Sequence, residues 1–295
     1  MWRVVRHPAA SAGGHPYDER IMKRYYRVLT IAGSDSGGGA GIQADIKTFS
    51  ALGCYGMSVI CALTAQNTQG VRGIFPAPPD FIRQQIEAVL DDIGVDAVKI
   101  GMLHSSEVVH TVAECLRRYD ISRIVVDPVM IATSGDRLLR DDAIAALVSS
   151  VFPLATVLTP NLHEAAVLLG QPVSRLMQAD DDVLETACRK LSDFGPDAVV
   201  LKGGHGVSEH SNDFLYLKTD DRLVRFCEDR IETQNTHGTG CTLSSAIAAC
   251  LARGYKIEDA VSKAKCYITA ALKAGAGYRL GKGHGPVHHH YAYWK

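Results

Sequence analysis

From Arg27 onward, short apolar runs rich in β-branched residues alternate with longer stretches whose apolar positions recur at helical spacing. RVLTIAG (27–33) predicts a buried strand ending in a glycine turn, and GIQADIKTFSALG (41–53) a helix stopped by a glycine. MSVICALTA (57–65) predicts a second strand, and FIRQQIEAVLDDI (81–93) a helix with Asp80 as its N-cap. AVKIGML (97–103) reads as a strand and EVVHTVAECLRRY (107–119) as a helix. RIVVDPVM (123–130), ATVLTPN (155–161) and DAVVLKGG (197–204) repeat one theme, a few apolar residues followed by polar or glycine residues. Helices are predicted over 141–151, 163–169, 181–194, 241–253 and 258–274. Residues 213–218 and 222–227 predict an antiparallel edge hairpin turning at Asp220-Asp221.

This alternation predicts an α/β fold, a mostly parallel central sheet with helices on both faces. Strands apolar on both sides agree with burial between two helical layers. Ligands bind beyond the carboxyl ends of such strands. Those ends hold Gly33-Ser34-Asp35, Gly101-Met102, Asp127-Pro128, Thr159-Pro160-Asn161 and Lys202-Gly203-Gly204. No repeat or linker interrupts residues 25–295, which are expected to form a single domain. Residues 1–24 are polar and rich in Gly, Ala and Pro, without the apolar core of a secretory signal; they read as a loose tail, with Met22 an alternative translation start.

Composition narrows the partners. Formal net charge is −1 over 295 residues and basic residues form no long cluster, which argues against nucleic acid or an anionic membrane as main partner. No uninterrupted apolar run is long enough to span a bilayer. The eight cysteines form no Cys-x-x-Cys pair, so neither a zinc site nor a disulfide framework is signalled. Most lie in apolar stretches and read as small core residues in a reducing cytoplasm.

Two glycine turns open helices. GSDSGGGAG (33–41) has five glycines in nine residues, yet lacks the Gly-Lys-Ser/Thr of a Walker A loop and the acidic partner of a dinucleotide fingerprint. It predicts a backbone closely approached by something small. In HGTGC (237–241), main-chain N–H groups and the helix dipole favour negative charge, such as that on a migrating phosphoryl group. The same field is expected to favour thiolate at Cys241, lowering a pKa that is about 8.5 for a free cysteine. Cys241 is thus a candidate base or nucleophile; a buried structural thiol is the alternative. Asp127 and the Asn161…Glu164 pair follow two strands and offer hard oxygens suited to magnesium, although Glu164 could equally be an ordinary first-turn acid. Lys202 could steady a phosphate. Gln66, in TAQNT, offers donor and acceptor together, as an aminopyrimidine edge requires; a loop cap is the bland alternative. The tail GKGHGPVHHHYAYWK has three consecutive histidines without acidic or cysteine partners and reads as a surface segment.

The stretches IAGSDSGGGAGIQADIKTFSALG, ALTAQNTQGV, KIGML, DPVM, TPNLHEAAVLLG, LKGGH, NTHGTGCTLSSAIAA and GKGHGPVHHH span about 27 to 290. In combination they resemble the hydroxymethylpyrimidine/phosphomethylpyrimidine kinases of thiamine biosynthesis, which have the ribokinase-like fold. The resemblance implies phosphorylation of 4-amino-5-hydroxymethyl-2-methylpyrimidine by ATP with Mg²⁺, then of its monophosphate. By position it implies that Gly33, Asp45 and Gln66 contact the pyrimidine and that Met102 and Val129 line its pocket. It assigns Asp127, Asn161 and Glu164 to magnesium and phosphates, and Lys202 to the nucleotide phosphates. Gly238, Thr239 and Gly240 would form the anion hole and Cys241 the catalytic base, where most ribokinase relatives have aspartate. A homodimer is implied by the same analogy.

Two rivals stay open on sequence. A pyridoxal kinase of the same cysteine-bearing branch would also present a hydroxymethyl group on a flat nitrogen ring to this machinery. A non-catalytic nucleotide- or pyrimidine-binding regulator would keep the fold and turns, although here Asp127, Glu164, Lys202 and Cys241 are all present.

Overall fold

The computed structural model describes residues 23–130, 139, 141–204 and 210–294; Met22 and nearly all of the expected tail lie outside them. Nine strands among the described residues form one sheet: β1 (Arg27–Asp35), β2 (Tyr55–Asn67), β3 (Gly70–Pro76), β4 (Ala97–Ile100), β5 (Ile124–Val126), β6 (Val157–Leu158), β7 (Ala198–Lys202), β8 (His210–Leu217) and β9 (Arg222–Asp229). The order is β3-β2-β1-β4-β5-β6-β7-β8-β9. Pairing is parallel from β2 through β1, β4, β5 and β6 to β7. Antiparallel strands flank this block: β3 on one side, the predicted β8–β9 hairpin on the other.

Consecutive residues of each central strand feed opposite helical layers, which is why the strands read as unbroken apolar runs. Leu29, Val98 and Val126 pack towards α2 (Pro79–Asp92), α3 (Ser106–Arg118) and α4 (Asp141–Ala146). Their neighbours Val28, Ala97 and Val125 pack on the other side, with α8 (Thr239–Ala252) and α9 (Ile257–Gly275). Helix α8 is buried nearly all round, and its alanines 246, 248, 249 and 252 let it lie close against small strand residues such as Ala97 and Ala198. Helices α5 (Leu162–Leu168), α6 (Val173–Met177) and α7 (Asp181–Ser192) cover β7 and β8 with a third cluster. Helix α1 (Gly41–Ala51) leans on β1, β2 and α8.

Four details depart from the sequence reading. Strand β3 and the short α6 escaped it, because GVRGIFP is half exposed and forms only by pairing with β2. Pro78, not Asp80, is the N-cap of α2; Asp80 lies in the first turn. The helix expected over 141–151 ends as α-helix at Ala146 and passes through a wider turn (Leu147–Val151) into a 3₁₀ turn (Phe152–Leu154), within which Pro153 has no N–H to donate. The C-terminal histidine segment is no surface strand of chain. His289 and Val287 are buried, the His289 carbonyl accepts from Tyr267 Oη at 2.7 Å, and burial drives the His289 imidazole pKa down to about 3.

Phe49 is fully buried between α1, β2 and α8, its ring so near Gly56 that a side chain there would meet it at 3.1 Å. Phe49→Ala should lower unfolding free energy by about 3–5 kcal/mol in urea titrations; a loss under about 1 kcal/mol would show that this layer does not hold the fold together.

Candidate active site

All the candidate side chains gather where the parallel strands end. The first turn is organised by Asp35, which the sequence reading placed at a strand end without giving it a role. Its carboxylate accepts from the N–H groups of Gly37 (2.7 Å), Gly39 (3.0 Å) and Ala40 (2.9 Å), and from His237 Nε2 at 2.8 Å. Burial works against ionisation of Asp35, but the His237 hydrogen bond and the Ala40 and Gly37 amides outweigh it and hold the carboxyl below its ordinary value. Gln43 fixes the same loop, accepting from Asp35 N–H and donating to Ser34 Oγ.

The second turn meets the first face to face. Gly238 is the N-cap of α8, left-handed at φ 80°, and any Cβ there would collide with the carbonyl of Gly39. Thr239 has both its N–H and its Oγ1 on the Thr236 carbonyl, at 3.2 and 2.7 Å, so in this state it is not a free donor. The N–H groups of Gly240 and Cys241, as second and third residues of a helix, lack intrahelical acceptors. Lys202 Nζ adjoins this point: a side chain at Gly240 would meet it at 3.3 Å.

Cys241 stands in this turn, only partly exposed. The expected thiolate is not what the structure supports. Burial pushes the thiol up to about 11, and the charges of Asp45 and Asp127 push the same way; Lys99 and the Gly41 N–H pull against them without prevailing. A helix start favours a thiolate, but withdrawing the sulfur from water costs more.

Two buried charge clusters flank the sulfur. In one, Lys99 donates to Asp45 at 3.0 Å, both side chains fully buried, while Asp45 also accepts from Thr30 Oγ1 (2.6 Å) and Ser245 Oγ (2.6 Å). Both Asp45 oxygens are thereby committed and sealed from solvent, so its expected contact with a pyrimidine is corrected: Asp45 anchors Lys99 and α8 beneath the site. Burial would lower the Lys99 pKa, but Asp45 and its anionic neighbours raise it. In the other cluster Lys202 Nζ lies 2.6 Å from Asp127 Oδ1 and 3.9 Å from Glu164, with Ser244 and Thr159 hydroxyls completing Asp127. Burial opposes ionisation of Asp127, but Lys202 and Lys99 lower its pKa; burial with Asp127 nearby raises Glu164 to about 7.

Asn161 caps α5 and forms a reciprocal capping box with Glu164, at 2.9 and 2.7 Å. Glu164 is thus a first-turn acid of α5, as one of its two readings has it, and it also lies in the buried cluster with Lys202 and Asp127. Among the described residues no three His, Cys, Asp or Glu side chains converge as a metal site. Asp127 and Glu164, held by one lysine, fit a hard ion that keeps most of its ligands from water and phosphate.

The pocket side is formed by Gly33 and Met102, so close that a side chain at 33 would meet the Met102 methyl at 2.7 Å. Val129 stays partly exposed after β5, its N–H on the Asp127 carbonyl. Gln66 Oε1 accepts from Thr64 Oγ1 at 3.1 Å, while its backbone clasps Ser36. A cavity of about 210 Å³ opens beside it, lined by Gln66–Gly70, His237 and His284.

The sequence reading gave no individual role to Asp35, Gln43, Lys99 or His237, although Asp35 and His237 stood in the strand-end and glycine-turn stretches it quoted; Lys99, a lysine inside an otherwise apolar strand, carried a signal of its own. For Cys241, alkylation by iodoacetamide, followed by mass spectrometry of its own peptide because Cys227 and Cys266 are exposed, should accelerate about tenfold per pH unit from 7 to 9.5 without a plateau, since only thiolate reacts. A midpoint below pH 8.5 would contradict the burial effect.

Residues 35–288 match the family model described as phosphomethylpyrimidine kinase. The hydroxymethylpyrimidine/phosphomethylpyrimidine kinase of Rhizobium meliloti is 51% identical over 90% of this chain and 98% of its own length. Among solved structures, the ADP complex of Bacillus subtilis pyridoxal kinase superposes with TM-score 0.83 at 36% identity, covering 91% of this chain and 99% of that one. The phosphomethylpyrimidine kinase of Clostridium difficile gives 0.72 at 44% identity, covering 83% and 99%. Shape and about a third of the residues are thus shared with a pyridoxal kinase, while identity is higher to the pyrimidine enzymes: this chain belongs to the hydroxymethylpyrimidine/phosphomethylpyrimidine kinase family, with the ribokinase-like fold.

Proposed function

We propose that the protein transfers the γ-phosphoryl group of ATP to the hydroxymethyl oxygen of 4-amino-5-hydroxymethyl-2-methylpyrimidine, and then a second one to the resulting monophosphate, in thiamine biosynthesis. The observation that carries this reading is the abutment of the two glycine turns. It brings the Gly33–Gly41 loop, with Met102 against Gly33, up to the amide-rich start of α8, which supports an acceptor held by Gly33, Met102 and Gln66. The pyrimidine rests on Gln66, whose amide suits an amino-nitrogen edge, with Met102 and Val129 against the ring. Lys202, beside Gly240, takes charge from the transferred group, and the Gly240 and Cys241 amides receive its oxygens. A magnesium ion would neutralise the phosphates; Asp127 and Glu164 would hold its water shell, and Asn161 keeps Glu164 in place.

Cys241 is proposed as the group that accepts the alcohol proton. Its thiol is protonated at rest, so the sulfur must first release its own proton to solvent before it can take that of the alcohol, and Lys99 is the neighbouring cation that favours this ionisation. The monophosphate acceptor is already anionic and needs alignment more than a base. With ATP, magnesium and the free pyrimidine, both phosphorylated products should form. Cys241→Ala should slow the first step by about 10²–10⁴-fold and the second by far less. Equal losses in both steps would refute the base assignment, and pyridoxal turned over faster than the pyrimidine would favour the B6 reading.

The same proposal includes a reducing, cytoplasmic setting and a homodimer. Free cysteines, five of them buried, suit the first, and no helix among the described residues is long and apolar enough to cross a membrane. For the dimer, edge strand β3 exposes Phe75 (71%) directly opposite Leu63 (51%) on β2. Sedimentation equilibrium should show a dimer that Phe75→Asp converts to monomer; a wild-type monomer would remove this part of the proposal.

A further inference from the structure

Asp35 and His237 are separated by 202 residues, yet they form a buried hydrogen bond at 2.8 Å between the two turns just assigned to acceptor and phosphoryl group. His237 directly precedes Gly238, so its backbone is the entry to the amide-rich start of α8. Its ring packs on Gly39 so tightly that a Cβ there would collide with it, and Gly238 in turn packs on the Gly39 carbonyl. The Asp35 carboxylate that receives the ring also holds the Gly37, Gly39 and Ala40 amides. One carboxylate therefore fixes the curvature of the acceptor loop and the position of the phosphoryl turn at once. The other side of His237 is secured as well: its N–H donates to the Gly285 carbonyl at 3.0 Å and its backbone bridges to Pro286. Its ring borders the open cavity beside Gln66.

We infer that His237 and Asp35 are positioning residues that lock the acceptor loop to the phosphoryl-receiving turn and so set the distance over which the phosphoryl group travels. The inference rests on the function proposed above and adds two residues to it. The proposed function assigns neither side chain a contact with reacting atoms. Their effect is on alignment, so loss of the lock should reduce kcat more than it weakens binding. An ångström of misplacement costs up to about 10²-fold in rate even when ligands still bind.

The test compares wild type with His237→Ala, His237→Gln and Asp35→Asn in steady-state assays with the free pyrimidine, alongside thermal melts and amide hydrogen exchange. Glutamine can place Nε2 where the imidazole Nε2 lies, and the cavity leaves room for added imidazole in the alanine variant. His237→Ala should lower kcat about thirtyfold or more with both KM values within about threefold. His237→Gln, and imidazole added to His237→Ala, should restore a substantial part of the rate. Amides of 37–40 should exchange at least tenfold faster in His237→Ala and Asp35→Asn. A kcat within threefold of wild type, a loss confined to KM, or no recovery with glutamine or imidazole would overturn the inference. If His237→Ala does not fold, His237→Gln and Asp35→Asn decide by the same measurements. Should wild type itself fail to phosphorylate the pyrimidine, the proposed function falls. The exchange comparison would still judge the lock, with unchanged protection of 37–40 counting against it.

Discussion

Two interior lysines make this site possible. Lys99 and Lys202 balance three carboxylates, Asp45, Asp127 and Glu164, that sit together under the start of α8. Removing either lysine would leave an acid uncompensated in protein, which costs several times what a surface pair contributes. Such clusters are retained against a cheaper apolar alternative where the charge itself has work to do. Here each lysine is held in place by its carboxylates, so that a cation stands beside the start of α8 without being left unpaired.

The layer architecture was legible from periodicity because central strands facing two helical layers must be apolar on both faces; Val28 beside Leu29 and Val125 beside Val126 are enough to show it. The turn that begins α8 was legible too, since Gly238 has no substitute where a backbone carbonyl approaches so closely. What sequence could not reveal is pairing across long separations. Asp45 looked like a ligand contact until Lys99, Thr30 and Ser245 were seen to consume its oxygens. His237 looked like a neighbour of a glycine turn until Asp35 was found at its ring. The C-terminal histidines looked exposed because polar residues give no hint that Tyr267 and Thr242 await His289.

Cys241 shows two general rules in competition. A helix start stabilises an anion by roughly 0.3–1 kcal/mol in exposed settings. Burial withdraws the sulfur from water and wins, aided by the carboxylates on either side. A resting thiol is a poorer base than a thiolate, but it is also a poor target for oxidants, which attack the ionised form. The buried environment thereby keeps the sulfur in its less reactive, protonated form.

The last dozen residues are threaded through the structure they complete. Pro286 bridges to His237, His289 bonds Thr242 in the first turn of α8, and Tyr293 reaches back to the carbonyl of Ala51. Displacing this segment would therefore be felt at the first turn of α8 and at His237 rather than at the periphery.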